Sequence, residues 1–430
     1  MKPRHAFLVR EPALVSPLGH PASETWLVDA PLGVRMRRQL EAAGLEVSVV
    51  DSLAAAEDAA ARTPAGAIVA LDSVAFSRVV LAQLLDTLGG AGAPRAVQAA
   101  LPDGVSTRRL AHMSGLEPVT VDGASGFAAP LWALAPGART AEARPRLLAW
   151  KEHVQKVILP VGMIGERELD IGVSDAYLVR VDHWAHVLWL NQIAMVGHWA
   201  DTWNRAGGRL WLIWRALLGF PWSRGRLGAA IRSVHPKAKV HHRAFVDSSV
   251  IEEGAEIGAN AVIRLSWIGK GARVEDGAIV NASVLAPRAT VASGSTITAA
   301  VLYPDAFAAQ QKMQLCVFGE GAVAFTGSYF YDINFARSIQ VAHRGQVVDS
   351  GERFLSVCLG PWARIAGGVW IASGREVPAG ALVVQPTDGV LYKMDDALSA
   401  TRMVTVGARA MVDAGAALPP NRPGAKLLPE

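Results

Sequence analysis

Ser248-Ser-Val-Ile-Glu-Glu-Gly-Ala-Glu-Ile-Gly-Ala-Asn-Ala-Val262 is the stretch on which the fold turns. Ile251 and Ile257 stand six residues apart in it, and the spacing continues on both sides. Aliphatic side chains recur as Val234, Val240, Val246, then Ile251, Ile257, Ile263, then Ile268, Val274, Val280, then Leu285, Val291, Ile297, in steps of six, six and five. Each group of three is a 17-residue coil with three short strands, and Leu302 opens the next coil in register. A fixed period of this kind marks a stacked repeat, in which each unit buries its apolar face only against its neighbours.

A second column follows four residues after each aliphatic: Ala238, Ala244, Val250, Ala255, Ala261, Trp267, Ala272, Ala278, Val284, Ala289, Ser295 and Val301. Its members are small or inward-compatible, with Trp267 alone oversized. Gly254, Asn260, Gly271, Gly277 and Gly294 stand at corners and tolerate a left-handed backbone at little steric cost. The hexad pattern predicts a three-faced prism, a left-handed parallel β-helix with aliphatic columns inside and coils spaced by about 4.8 Å. The pattern stops after Leu302 and returns at Leu359, Ile365, Ile371, Val377 and Val383, so an excursion is expected between them. The alternating stretch 338–348 and the aromatic run Tyr329-Phe-Tyr331 suit a hairpin there.

The N-terminal half carries a different signal. Residues 34–43 form an amphipathic helical pattern, 45–50 and 67–71 are apolar strand patterns, and 79–88 is helical again. Short apolar strands alternating with ten-residue helices predict an α/β layer with a mostly parallel, Rossmann-like sheet. Over 182–218 a helix interrupted at Gly207-Gly208 is expected, with Trp184, Leu188, Asn191, Met195 and Trp199 on or near one face. The resulting division is an α/β unit over 1–160, a Trp-rich helical connector over 161–230, coils over 231–302, an excursion over 303–357, closing coils over 358–390, and a short element around Met403 to Met411 with a flexible tail over 391–430.

Composition narrows the function classes. With 430 residues the chain exceeds the ~250–300 at which single cores stop growing. A net charge of +4 with 19% charged residues is not the basic stripe that tracks a nucleic-acid backbone. Charged and polar residues interrupt every apolar run near the tryptophans, so no transmembrane segment is predicted. Cys316 and Cys358 are too few for a disulfide framework and read as buried small hydrophobes in a reducing, cytoplasmic compartment.

The 248–262 stretch is similar to the "S-V-I-x-x-G-x-x-I-G" coils of the sugar-phosphate nucleotidyltransferases. Ala30-Pro31-Leu32 with the helix to Gly44 resembles that family's "P-L-I…L…L…A-G" segment, and Val69-Ala-Leu-Asp72 resembles the strand whose aspartate holds the catalytic Mg²⁺. The resemblance implies a nucleotidyltransferase-like α/β domain binding a nucleotide sugar or sugar phosphate, with Asp72 as ligand and Mg²⁺ contact. It also implies a β-helix acting as scaffold of a homo-oligomer, a trimer by preference. The chain departs from the family where a G-x-G-T-R-L loop should surround the nucleotide phosphates, because residues 7–27 contain only Gly19. A non-catalytic regulatory or scaffold descendant is therefore an alternative.

Other residues carry weaker chemical signals. Asp72 ends a strand where open α/β sheets bind ligands, although strand-end aspartates also form caps and turns. Lys151 and Lys156 flank an expected helix and are candidates for phosphate contact or plain solvated lysines. His183 and His186, beside Asp182, have the i, i+3 spacing of a two-histidine metal face, without further ligands to complete a set. Left-handed β-helices also form acyltransferases, where a histidine deprotonates the acceptor while acyl-CoA lies between neighbouring prisms. His241, His242 and above all His343, on the excursion, are candidates for that base in this third reading.

Overall fold

Alternating apolar strands and helices in the N-terminal half build a layered unit whose sheet is mixed rather than mostly parallel. The computed structural model describes residues 3–88, 94–160, 168–204, 232–309, 311–386, 402–407 and 410–417. The sheet contains β1 (His5–Val9), β2 (Glu46–Val50), β3 (Ala67–Leu71), β4 (Ala96–Pro102), β5 (Glu117–Val121), β6 (Ala124–Leu134) and β7 (Arg144–Leu147). Its order is β7-β4-β6-β3-β1-β2, with β5 pairing β6. β1 runs parallel to β2 and β3, whereas β6 is antiparallel to both β3 and β4. Residue pattern alone carries no strand direction, which is why the inverted β6 was not expected.

Helices α1 (Leu32–Ala42), α2 (Leu53–Ala61), α3 (Arg78–Asp86) and α4 (Val105–Ala111) accompany the sheet. Ser52 and Ser77 cap α2 and α3, each accepting a backbone N–H from three residues on. Two further strands, β8 (Glu152–Ile158) and β9 (Glu168–Ser174), form an antiparallel ribbon. The helix expected between Lys151 and Lys156 is thus a strand.

α5 (Trp184–Asn204) follows, and its Trp184, Leu188, Asn191 and Met195 are buried as the helical spacing predicts. Asn191 accepts a hydrogen bond from Val28 N at 2.7 Å and donates to the Trp26 and Val187 carbonyls, both at 2.8 Å. These bonds satisfy a buried amide and hold the 26–28 turn against the helix.

The C-terminal half is a left-handed parallel β-helix. One face stacks eight strands beginning with Ser233–Val234, a second stacks eight beginning with Lys239–Val240, and a third stacks five beginning with Phe245–Asp247. Ile251, Ile268, Leu285, Leu302, Phe318, Leu359 and Val377 form the inner column of the first face, in exact strand register.

The five-residue step shifts the second column. At that tight corner Ser248, Leu265, Ala282 and Ala299 adopt left-handed backbones with φ between 44° and 50°. The inward small residues beside them are Ser249, Ser266 and Ser283, not Val250, Trp267 and Val284. Their hydroxyls form a ladder: Ser249 Oγ accepts Ser266 N, Ser266 Oγ accepts Ser283 N, and Ser283 Oγ accepts Ala300 N, each at 3.1 Å. Val250, Trp267, Val284, Val301, Val317 and Cys358 point outward instead and share one core with α5 and the α/β sheet. An aliphatic outer column on a single face is therefore the docking surface between the two halves.

Coils also continue where the aliphatic pattern stops. Ala308, Met313, Phe318, Ala324 and Phe330 fill the inner columns through the region expected to leave the prism. Alanine, methionine and phenylalanine replace Val, Ile and Leu there, which hid the repeat. The excursion is shorter, lying between Phe330 and Cys358, and it carries the hairpin β10 (Gln340–His343) and β11 (Gln346–Asp349). This hairpin turns back onto the α/β unit. Arg109 binds Glu352 through two bonds of 2.6 and 3.0 Å, and His112 Nε2 bonds the Asp349 carbonyl at 2.7 Å.

The strand pair Arg402–Gly407 and Ala410–Ala417 forms an antiparallel hairpin over part of the terminal element. The interruption expected at 207–208 and the tail from 418 lie outside the described residues. Among the described residues no helix is long and apolar enough to cross a membrane.

Candidate functional site

The carboxyl ends of β1 and β3 bring together two acids far apart in sequence. Glu11 lies just beyond β1 and Asp72 just beyond β3, and the two strands are in direct register. Glu11 N donates to Asp72 Oδ1 at 2.9 Å. Burial pushes the Asp72 carboxyl above the usual carboxylate range and the Glu11 charge adds to this, while bonds from the Glu11 amide and the Ser23 hydroxyl oppose it.

Glu11 itself receives Arg180 on one oxygen and the Ser73 hydroxyl on the other. Arg180 Nε also faces Asp182 Oδ1 at 3.7 Å, and Arg344 reaches Asp182 Oδ2 at 3.2 Å from the β10–β11 turn. These last two contacts are ion pairs without aligned hydrogen bonds. The Asp182 side chain is only 8% exposed, and this burial raises its carboxyl despite both guanidinium groups. Three acids and two arginines are thus shared between the α/β unit and the hairpin of the prism.

A histidine layer adjoins this cluster. His183 Nδ1 accepts Ala185 N at 3.1 Å, which leaves Nε2 to donate to the Ala342 carbonyl at 3.1 Å. Glu376 Oε1 lies 3.5 Å from the same nitrogen, and Ser16 donates to Glu376 Oε2 at 2.7 Å. His343 packs edge-on to His183 with ring centres 5.6 Å apart. Burial, His183 and Arg344 all lower the His343 pKa. Beside this layer a cleft of about 550 Å³ opens between residues 14–19, Ala342 and the last coil around Pro378.

His186 serves the backbone, not a metal. Its Nδ1 accepts Asp182 N and His183 N at 3.1 Å, and its Nε2 donates to the His112 carbonyl at 2.7 Å. Burial, opposed by that last bond and aided by His183, His343 and His112, lowers its pKa from 6.5 to about 3. The unfolded chain therefore binds a proton over this interval that the folded one does not, so stability falls as the pH drops from 6.5 toward about 3. The expected loss is on the order of 4 kcal/mol. Urea unfolding across that range checks it, and His186→Asn is expected to start less stable at pH 7.5 and show a flatter slope.

Of the residues singled out from sequence, Asp72 sits in this cluster and the others divide. Lys156 pairs with Glu168 across the β8–β9 ribbon, and the exposed Lys151 is tied through its backbone N to Asp175 Oδ1 at 3.3 Å. Neither is placed with Asp72 by any of these contacts. His343 is half-buried and packs on His183 of its own chain. His241 and His242 pack against each other on the first coil, with ring centres 4.3 Å apart. Glu11, Arg180, Arg344 and Glu376 were missed because nothing in their local sequence marks them. Asp182 was legible only as a neighbour of His183.

In place of a glycine-rich loop, β1 leads into a small ribbon of Leu14–Val15 with His20–Pro21. Gly19 alone there takes a left-handed φ, of 72°. A resident Mg²⁺ does not fit these residues as arranged. Asp72 and Glu11 already hold hydrogen-bond donors, Asp182 lies between two guanidinium groups, and among the described residues no group of three or more metal-capable side chains converges.

The fold and cluster define a protein with an α/β unit welded to a left-handed β-helix. No family model matches the chain, and no curated protein does. Among solved structures it is similar to a hexapeptide transferase family protein from Anaplasma phagocytophilum, at 18% identity over 35% of this chain and 72% of that one, with a TM-score of 0.22. It is also similar to a Bacillus cereus protein described as an acetyltransferase, at 14% identity over 34% of this chain and 73% of that one, with a TM-score of 0.18. At such scores the likeness carries no argument about activity.

Proposed function

We propose that the protein is a non-catalytic relative of the sugar-phosphate nucleotidyltransferases, with a regulatory or scaffolding role. In this reading the acidic strand ends, which would hold a nucleotide with its metal in a catalyst, tie the α/β unit to the β-helix. The prism serves assembly, with a homotrimer as the expected state. One observation carries the reading: Arg180 spans Glu11 and Asp182, and Arg344 closes the same cluster from the prism side. The Arg180 guanidinium, with the more exposed Arg344 on Asp182, then offsets part of the acidic charge, and in-line attack on an α-phosphate would lack both its glycine-loop donors and a metal clamp.

The transferase reading, with a nucleotide sugar or sugar phosphate bound at Asp72, rests on the position of Asp72 at a strand end. The acyltransferase reading rests on His343, which is half-buried against His183 beside the cleft that Ala342 and Glu376 help to line. Thermal shift with NTP–Mg²⁺, nucleotide sugars and acyl-CoA separates the three, since a ligand at 100 times its Kd adds about 2.7 kcal/mol. No shift with NTP–Mg²⁺ or acyl-CoA is expected. A Mg²⁺-dependent NTP shift abolished by Asp72→Asn would replace this reading with the transferase, and an acyl-CoA shift lost in His343→Ala would replace it with the acyltransferase.

A further inference from the structure

The β8–β9 ribbon is anchored at its base and apolar at its tip. Glu152 accepts the Val105 and Ser106 backbone N–H groups at 3.1 and 2.7 Å, and Ile171 and Val173 line one small pocket with Trp189 and Ile193 of α5. On that ribbon face Leu169 and its cross-strand partner Val157 continue toward the tip, where Ile158 is 81% exposed, more than any other large hydrophobic among the described residues. Beyond them the sequence stays uncharged through Gly165.

The helix beside the ribbon also descends the prism toward its first coil. Gln192 donates to the Ala299 carbonyl at 3.4 Å, and further along α5 the His198 ring stands 5.1 Å from Trp267 on an earlier coil. From the end of α5 onward the chain is acid-free: between Asp201 and Asp247 the sequence has seven arginines, two lysines and no Asp or Glu, with Trp203, Trp211, Trp214 and Trp222 among them. The whole chain carries an excess of only +4, so the remainder is net acidic. We propose that this side of the molecule docks on an anionic membrane surface, with the ribbon tip in the headgroup layer and the acid-free sequence around Arg232 and Arg243 providing the attraction.

Apolar contact and charge have separate sources in this arrangement. Lys151 and Lys156 offset Glu168 and Asp170, and Glu152 is seated on α4, so the ribbon brings apolar surface without an attraction of its own. In the first coil Lys237 and Lys239 already pair with Glu253 and Glu256, and Arg273 also faces Glu256 at 3.5 Å. The attraction therefore falls to the arginines, of which Arg243 is exposed on that coil. Indole rings favour the headgroup level and clustered cations are drawn to anionic lipid, so the two residue types together suit a bilayer surface. A nucleic-acid backbone would use the cations and leave the bare Ile158 unexplained. Docking is peripheral, since among the described residues no helix could cross a membrane.

The inference is independent of the regulatory reading and of the Mg²⁺ question, and its test involves neither nucleotide nor metal. The full chain is sedimented with phosphatidylcholine vesicles, with and without ~30% phosphatidylserine, at about 0.05 M and about 0.5 M NaCl. Binding is expected to the phosphatidylserine vesicles at low salt, at least tenfold tighter than to phosphatidylcholine alone, and to be lost at high salt. Ile158→Asp is expected to weaken it at least tenfold with Tm unchanged, because the side chain is already exposed. Val347→Asp, 70% exposed on the β10–β11 hairpin, is expected to bind as wild type does. Absence of binding to the anionic vesicles, equal binding to both vesicle types, or undiminished binding by Ile158→Asp would overturn the proposal. Tight binding of poly(U) at low salt without vesicle binding would overturn it too and assign the acid-free sequence to nucleic acid.

Discussion

Arg180→Met is expected to destabilise the protein by about 3–5 kcal/mol at neutral pH, the range for removing one partner of a buried ion pair. The Arg180 and Glu11 side chains are 22% and 19% exposed, so water replaces little of what the guanidinium supplies. Without it Glu11, Asp72 and Asp182 repel one another in a site where burial already raises two of the three carboxyls. The folded-state pKa values of Asp72 and Asp182 then climb further. A carboxyl raised in the folded state binds more protons there than in the unfolded chain, so the deficit shrinks as the pH falls through the raised values. Denaturant unfolding of wild type and Arg180→Met at pH 7.5 and pH 5 measures both effects. A loss below about 1 kcal/mol would place the cluster among weak surface pairs.

Val301→Asp is expected to separate the two halves of the molecule. Val301 belongs to the outer column of the first prism face and is 1% exposed beneath the α/β unit and α5. A carboxylate there would be buried among the apolar side chains of that core, and the expected cost is roughly 4 kcal/mol or more. The prism's inner column, one residue further at Leu302, is untouched. Unfolding should therefore change from one transition to two, with the α/β unit melting first. Lys312→Asp, on an exposed outward position of the third face, is expected to cost under ~1 kcal/mol and leave a single transition. Tryptophan fluorescence and far-UV circular dichroism, followed together, distinguish these outcomes.

Much of the prism was legible in the chain, because a hexad of aliphatic residues has few structural meanings. The failures were physical and local. Counting four residues from each aliphatic ignored the shortened five-residue step, so Val250, Trp267, Val284 and Val301 were taken as interior. The serines beside them, Ser249, Ser266 and Ser283, do that work while bonding the next coil. Residues 303–330 hid their coils because Ala308 and Met313 carry no aliphatic signal.

At the candidate site only Asp72 stood out, since a lone acid after an apolar strand has a recognisable place in α/β sheets. Its partners come from other segments. Glu11 lies 61 residues from Asp72 in sequence and 169 from Arg180, and only the folded sheet brings them together. Arg344 arrives from the hairpin, whose direction of fold depends on Arg109, His112 and Glu352. No local pattern encodes such a meeting.

The most direct measurement is calorimetric titration of Mg²⁺, alone and with ATP, into wild type and Arg180→Met. If arginines have replaced the metal at the acidic strand ends, wild type shows no saturable Mg²⁺ binding and no Mg²⁺-dependent ATP binding. Arg180→Met, with its acids uncompensated, should gain a Mg²⁺ site and recover part of its lost stability on filling it. Stoichiometric Mg²⁺-dependent ATP binding by wild type, abolished by Asp72→Asn, would contradict this and make the cluster a nucleotide–metal site.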